Sequence, residues 1–438
     1  MSHSHSIPDN SGAPRRELWA WACYDFANSG YTTVVLTTIY SAYFVAVIAA
    51  DIDKATPGTG TLIWTSAIAL ANLCVLLGAP VIGAIADHRA CKKQFLLVST
   101  VACVVSTAGL SLVGPGHLLP AVTLLIISAI AFSSGENLIA AFLPEIATPN
   151  TMGRVSGYGW SLGYLGGLLT LACCLGTISW ATGVGYEATR YVPYTLILTA
   201  LIFALAASPT FLVLQERAIA QAPVVSSSYI RLGFSTVSKT LKHAARLKDL
   251  FRFLICLTIY QSGVATVVVV AAIYAQQIMG FSSQQLIVLI MVVNVTAAVG
   301  AFLFGHAQDR WGSVPSLAAA LLVWMLAIAV TYFAQEPRDL WLAGNLVGLG
   351  LGATQAGGRA LVGQFTPVAR SAEFFGLWGL ASRAAAILGP LSYGLINRIS
   401  GGDQRMALLS TLGFFVVGFI LLLTVDEQRG RVDKLTHA

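Results

Sequence analysis

The chain is 438 residues long, 56% hydrophobic and 10% charged, with a formal net charge of +6 at neutral pH. A soluble domain carries roughly 25% charged residues, so no water-soluble fold of this size hides so much apolar surface, and lipid must be the solvent. Topology and anionic headgroups account for the basic surplus, and no nucleic-acid partner is needed.

Residues 1–16 are polar and lack the apolar core and cleavage site of a secretory signal peptide. They read as a cytoplasmic tail, in which His3 and His5 either bind a metal loosely or belong to a disordered stretch. Next come apolar runs long enough to cross a bilayer, since about 20 residues at a 1.5 Å rise traverse a core of about 30 Å. Six lie in residues 17–214, at 19–50, 62–86, 95–113, 118–143, 155–181 and 191–214. Residues 215–249 are Ser-rich and basic and read as a cytoplasmic linker. Six more runs follow in residues 250–425, at 250–278, 286–306, 314–334, 340–364, 374–396 and 406–425, before a cytoplasmic tail at 426–438. Their length rules out barrel strands, which need only about ten alternating residues. The predicted fold is therefore an all-α integral membrane protein of twelve transmembrane helices in two pseudo-symmetric six-helix bundles. With both termini in the cytoplasm, 18 Lys and Arg fall on that side and five on the other. The odd set of seven cysteines, six inside apolar runs, suggests neither disulfides nor a metal site.

The halves repeat at an offset of about 222 residues. Gly83 to Asp87 returns as Gly305 to Asp309, each at the end of the second span of its half, while Asn72 aligns with Asn294 and Asn137 with Arg359. Parallel halves of this kind place a solute site midway across the bilayer, at their interface.

The Gly-x-x-x-Asp pattern with its basic followers (Gly83, Asp87, Arg89, Lys92, Lys93), echoed by Gly305, Asp309, Arg310 and Gly312, resembles the loop signature of the major facilitator superfamily. The string Trp21-Ala22-Cys23-Tyr24-Asp25-Phe26-Ala27-Asn28-Ser29-Gly30-Tyr31 is similar to the opening of the vacuole effluxer family within it. Leu143-Pro144-Glu145-Ile146-Ala147 and Glu373-Phe374-Phe375-Gly376, with Gly389-Pro390 beyond, agree with that resemblance. In the tenth span that family often shows Gln-x-x-Ser-Arg-Ser, whereas this chain reads Gln355-Ala356-Gly357-Gly358-Arg359-Ala360. The resemblance implies a transporter, in a branch linked in fungi to autophagy and amino-acid release.

Ionisable groups inside spans are costly and need a partner or a watery cavity. Four qualify: Asp25, Glu136, Arg359 and Arg383. Asp25, with Tyr24 and Asn28 beside it, either fixes the first span to a neighbour or meets solute or proton. Glu136, next to Asn137, and Arg359 stand at matching places in the fourth and tenth spans. They are expected either to face each other as an ion pair that a zwitterion splits, or to pair within their own halves. Glu136 is also the leading candidate for proton coupling. Arg383 cannot shed its proton and must hold an internal carboxylate or an anionic group of the solute. Tyr260, Gln261 and Gln355 supply neutral hydrogen-bonding groups, for helix contacts or for a ligand. Asp87 and Asp309, with Arg89, Arg154 and Arg310, are expected to form a cytoplasmic gate by engaging basic residues and a helix end, the alternative being plain solvation. Gly157, Gly159, Gly163, Gly166 and Gly167 give the fifth span a smooth face for close helix contact.

No Gly-x-x-x-x-Gly-Lys-Ser/Thr loop serves a nucleotide, and no His-Glu-x-x-His, Gly-x-Ser-x-Gly or Cys/His cluster suggests an enzyme or a cofactor. The expected function is secondary active transport of a small polar or zwitterionic solute by alternating access, as proton-coupled export. Alternatives are a lipid-like substrate or drug efflux, and a receptor or scaffold that transports nothing. The chain is expected to work as a monomer in a bacterial inner membrane, or alternatively a vacuolar one.

Overall fold

Inside hydrocarbon a backbone finds no water to bond, so each crossing segment must satisfy its own N–H and C=O groups, and helix is the form that does so locally. A computed structural model describes residues 13–55, 59–218, 247–277, 279–281, 283–400 and 404–436, and no strand occurs among them. The first half holds α1 (Arg15–Tyr31), α2 (Thr59–Arg89), α3 (Lys92–Leu110), α4 (Leu118–Ala140), α5 (Met152–Gly183) and α6 (Ala188–Val213). The second holds α7 (Lys248–Gln277), α8 (Ser283–Trp311), α9 (Ser313–Phe333), α10 (Pro337–Phe365), α11 (Ser371–Ile399) and α12 (Gln404–Leu422). A shorter α13 (Glu427–Thr436) ends the described chain. His3, His5 and most of the linker lie outside the described residues.

Eleven of the twelve long helices are apolar enough by composition to cross a membrane. The exception is α10, whose 29 residues suffice in length but include Asn345, Gln355, Arg359 and many glycines. Its last 14 residues except Gln355 are buried. A helix walled in by other helices need not resemble lipid, and its small residues let the neighbours approach closely. Its start is fixed by a capping box between Glu336 and Asp339, with Pro337 in the first turn. Beyond Tyr31, α1 continues in wide π turns at Thr32–Thr37 and Phe44–Ile48. There the Thr37 hydroxyl donates to Thr33 O at 2.9 Å and the Thr38 hydroxyl to the same carbonyl at 2.5 Å, replacing bonds that the wider turn disrupts.

Both described ends lie on one face. Ala13 N–H donates to Ile146 O at 3.1 Å, Glu427 caps the start of α9, and Gln364 Nε2 at the foot of α10 reaches Pro149 O at 3.3 Å. On this terminal face each half is clasped by the same device. After α6, Glu216 accepts from Lys92 N–H at 2.7 Å at the start of α3, and Arg217 pairs with Glu17 at 2.7 Å. After α12, Glu427 accepts from Ser313 N–H at 2.7 Å at the start of α9, and Arg429 pairs with Asp249 at 2.6 Å. A carboxylate at a helix N-terminus satisfies donors that would otherwise lack partners and complements the helix dipole. Within the cytoplasmic tail expected at 426–438, residues Glu427–Thr436 form α13, which these contacts dock under the second half.

Candidate functional site

The four intramembrane charges form two ion pairs, each joining one half to the other. Arg359 on α10 donates from Nη1 to Asp25 Oδ2 on α1 at 2.7 Å, and Arg383 Nη2 on α11 donates to Glu136 Oε2 on α4 at 3.1 Å. Glu136 and Arg359 therefore do not pair, and neither charge is matched within its own half. The guanidinium of Arg359 turns toward α5, away from α4, because α5 offers it a seat. Its Nε donates to Ser156 Oγ at 3.1 Å and its Nη2 to Ser156 O at 2.9 Å. The rings of Trp21 and Trp160 lie 4.7 and 5.3 Å from Cζ.

Access separates the two pairs. The side chains of Arg359 and Asp25 are 3% and 11% exposed, those of Arg383 and Glu136 19% and 30%. Arg359 spends all three nitrogens, whereas Arg383 Nε has no hydrogen-bond partner among the described residues. Trp160 Nε1, Asn137 Nδ2 and Asn28 Oδ1 are likewise buried and unpartnered among the described residues. Buried polar atoms are normally bonded, so these four, on α11, α5, α4 and α1, stand out among the described residues.

The glycine face of α5 makes this possible. A Cβ on Gly159 would collide with Asp25 Oδ2 and lie 2.5 Å from Arg359 Nη2 and 2.8 Å from the Trp21 ring, while Gly163 lies as close to Ser29 and Gly166 to Phe26. Gly159→Ala is expected to break the Asp25–Arg359 pair without touching either charge. A fall in thermal stability together with lost flux checks this, and a variant that melts and transports like the parent refutes it.

The remaining candidates divide. Gln261 Nε2 donates to Gln355 Oε1 at 3.2 Å, joining α7 to α10. Tyr24 shares a 2.8 Å bond with Thr100 and is buried, so it holds α1 to α3, and Tyr260 is buried against Gly358.

The terminal face is sealed between the halves by two symmetric caps. Asp87 at the end of α2 accepts from Ala372 N–H at 3.1 Å and Glu373 N–H at 2.8 Å, at the start of α11. Asp309 at the end of α8 accepts from Gly153 N–H at 2.8 Å and Arg154 N–H at 3.1 Å, at the start of α5. The glycine four residues earlier permits the approach. A Cβ on Gly83 would lie 2.7 Å from the Ala372 carbonyl carbon, and one on Gly305 2.7 Å from Gly153 O. Arg154 also pairs with Asp309 at 3.6 Å, as expected, but the cation at Asp87 is Lys92, at 3.6 Å. Burial pushes the Asp87 carboxyl up to about 7, while Lys92 and the two N–H donors pull it down. Lys92 is fully buried, donates to Ser371 Oγ at 2.8 Å and pairs with Glu145. Arg89 and Arg310 are exposed, and Arg310 makes no bond to the gate. Ser156, Gly159, Trp160, Lys92, Glu145 and Ser371 were not singled out as site residues from sequence. The motif Leu143-Pro144-Glu145 and the basic run after Asp87 were the available signals for two of them.

Two parallel six-helix halves, cross-half charges between them and a capped seal on one face define a membrane transporter of the major facilitator class. A family model described as "Vacuole effluxer Atg22 like" matches residues 61–435, and the chain belongs to that family. The uncharacterized MFS-type transporter YxiO of Bacillus subtilis is 28% identical over 413 residues, covering 93% of this chain and 94% of the relative. Autophagy-related protein 22 of Yarrowia lipolytica is 25% identical over 344 residues, 71% of this chain, which spans only 56% of that fungal relative. Two solved structures share the fold: the human organic anion transporter MFSD10 (TM-score 0.72, 15% identity, 95% of this chain and 100% of that one) and the proton:xylose symporter XylE (0.71, 15%, 96% and 98%). The family match and the full-length bacterial relative make the chain a multi-pass membrane transporter of the major facilitator type.

Proposed function

We propose that this transporter exports a small polar or zwitterionic, amino-acid-like solute by alternating access, coupled to protons. The observation that carries the reading is the difference between the two cross-half pairs. Asp25–Arg359 is closed off, with all three guanidinium nitrogens bonded, as a lock between halves requires. Glu136–Arg383 is partly exposed, as a site that solute and proton must reach requires, and its guanidinium Nε has no partner among the described residues. A carboxylate and a guanidinium side by side match the two charges of a zwitterion. Export accords with the effluxer description of the family, and the 18-to-5 division of Lys and Arg makes the terminal face cytoplasmic. The chain acts as a monomer in a bacterial inner membrane, the fungal relatives favouring a vacuolar one instead.

The test is a thermal-shift screen of purified protein across amino acids, peptides, lipids and metals, followed by counterflow in proteoliposomes with any stabilising solute. Stabilisation and exchange by a zwitterion are expected. Stabilisation by lipid-like compounds alone, with no exchange of any zwitterion, overturns the reading.

A further inference from the structure

Apart from the transport pathway, a pocket of about 750 Å³ opens on the terminal face, between the turn after α8, the turn before α13 and Pro149–Asn150 of the other half. Part of its lining is apolar: Trp311 is 67% exposed and Leu423 61%, with Val314 and Pro315 also in the wall. Its polar side carries Arg310, Arg429 and Arg431 against Asp309, Asp426 and Glu427.

The acids are largely spent. Asp309 gives both oxygens to the α5 cap, Glu427 gives one to Ser313 N–H and the other to Arg431, and Asp426 Oδ1 accepts from Arg429 N–H at 2.9 Å. The bases are less so. Arg310 is exposed and has no hydrogen bond or ion pair among the described residues, and Arg431 Nε is buried without a partner. Gln308, 2% exposed, also lines the pocket, and its Oε1 is unpartnered among the described residues. An exposed arginine without a carboxylate partner among the described residues, beside an apolar wall and an exposed tryptophan at the end of a membrane-crossing helix, is what a phospholipid of net negative charge recognises.

We propose that this pocket binds the headgroup of an anionic phospholipid, its phosphate on Arg310 and its acyl chains along Trp311 and Leu423. Because Asp309 is adjacent and residues of both halves line the site, a bound headgroup braces the sealed arrangement of the terminal face. The assignment stands apart from the transported solute and is tested without measuring flux.

The protein is placed in nanodiscs of phosphatidylcholine alone, or with phosphatidylglycerol as a minor component, then extracted and weighed by native mass spectrometry with its retained lipid. The parent is expected to keep phosphatidylglycerol selectively. Arg310→Gln is expected to lower that retention by about fivefold, the factor one arginine near an anionic surface supplies. Arg310→Lys should keep most of it. Trp311→Ala should weaken it with Arg310 in place. Inorganic phosphate and glycerol phosphate at millimolar concentration should not stabilise the protein. Unchanged retention in Arg310→Gln overturns the site, and stabilisation by the soluble phosphates equal to that by the lipid overturns the lipid as its ligand.

Discussion

Arg359→Ala is expected to insert in the membrane, lose transport, and lose about 3 kcal/mol of stability, because the change leaves the Asp25 carboxylate buried without its cation. The guanidinium ties α10 to both α1 and α5 through bonds of 2.7, 2.9 and 3.1 Å, all made across the halves. Arg359→Lys should not rescue it. An ammonium on a flexible stem cannot reach Asp25 and Ser156 at once from between two indole rings. The discriminating variant is the double change Asp25→Asn with Arg359→Met. Removing both charges leaves none stranded, so most of the lost stability should return while flux stays absent. Thermal unfolding in detergent reads the first quantity and proteoliposome counterflow the second. If Arg359→Ala alone melts and transports like the parent, the pair is no lock.

Much of this architecture was open to reading from composition and repetition, because membrane solvation imposes the same demand on every span. The length of each helix follows from that demand, while the duplication and the pairing of Gly83 with Asp87 show in the repeat of Gly83 to Asp87 at Gly305 to Asp309. The choice of ion-pair partners did not. The repeat aligns Asn137 with Arg359, and adjacent Glu136 was therefore set opposite that arginine. Which face of α10 carries its guanidinium depends on a seat made by Ser156 and the missing side chain of Gly159, and neither residue advertises a charge partner. Similarly α10 is less apolar than its fellows because protein surrounds it, a fact of packing that no hydropathy profile contains. The clasp around Glu216 and Arg217 repeats at Glu427 and Arg429, but at offsets of 211 and 212 residues in place of 222, so a search at one fixed offset passes over it.

Glu136→Gln and Arg383→Gln should fail in different ways, and the difference assigns their roles. A glutamine at 136 keeps an oxygen for Arg383 and for a solute amine but cannot take up or release a proton. Uptake driven by a pH gradient should therefore fall to background while exchange of solute for solute continues. A glutamine at 383 removes the cation, and with it the charge-assisted bond to a solute carboxylate. Such bonds contribute roughly 1.5–3 kcal/mol, so solute affinity should weaken by about ten- to a hundredfold in both assays. Stability should change less than in the Arg359 variants, since Glu136 and Arg383 are 30% and 19% exposed and water can reach a charge left alone. Gradient-driven flux at the parent's rate in Glu136→Gln would take this carboxylate out of proton transfer. An unaltered affinity in Arg383→Gln would move the solute's anionic group elsewhere, with Trp160 and Asn137 the next donors to substitute, because their nitrogens too are buried and unpartnered among the described residues.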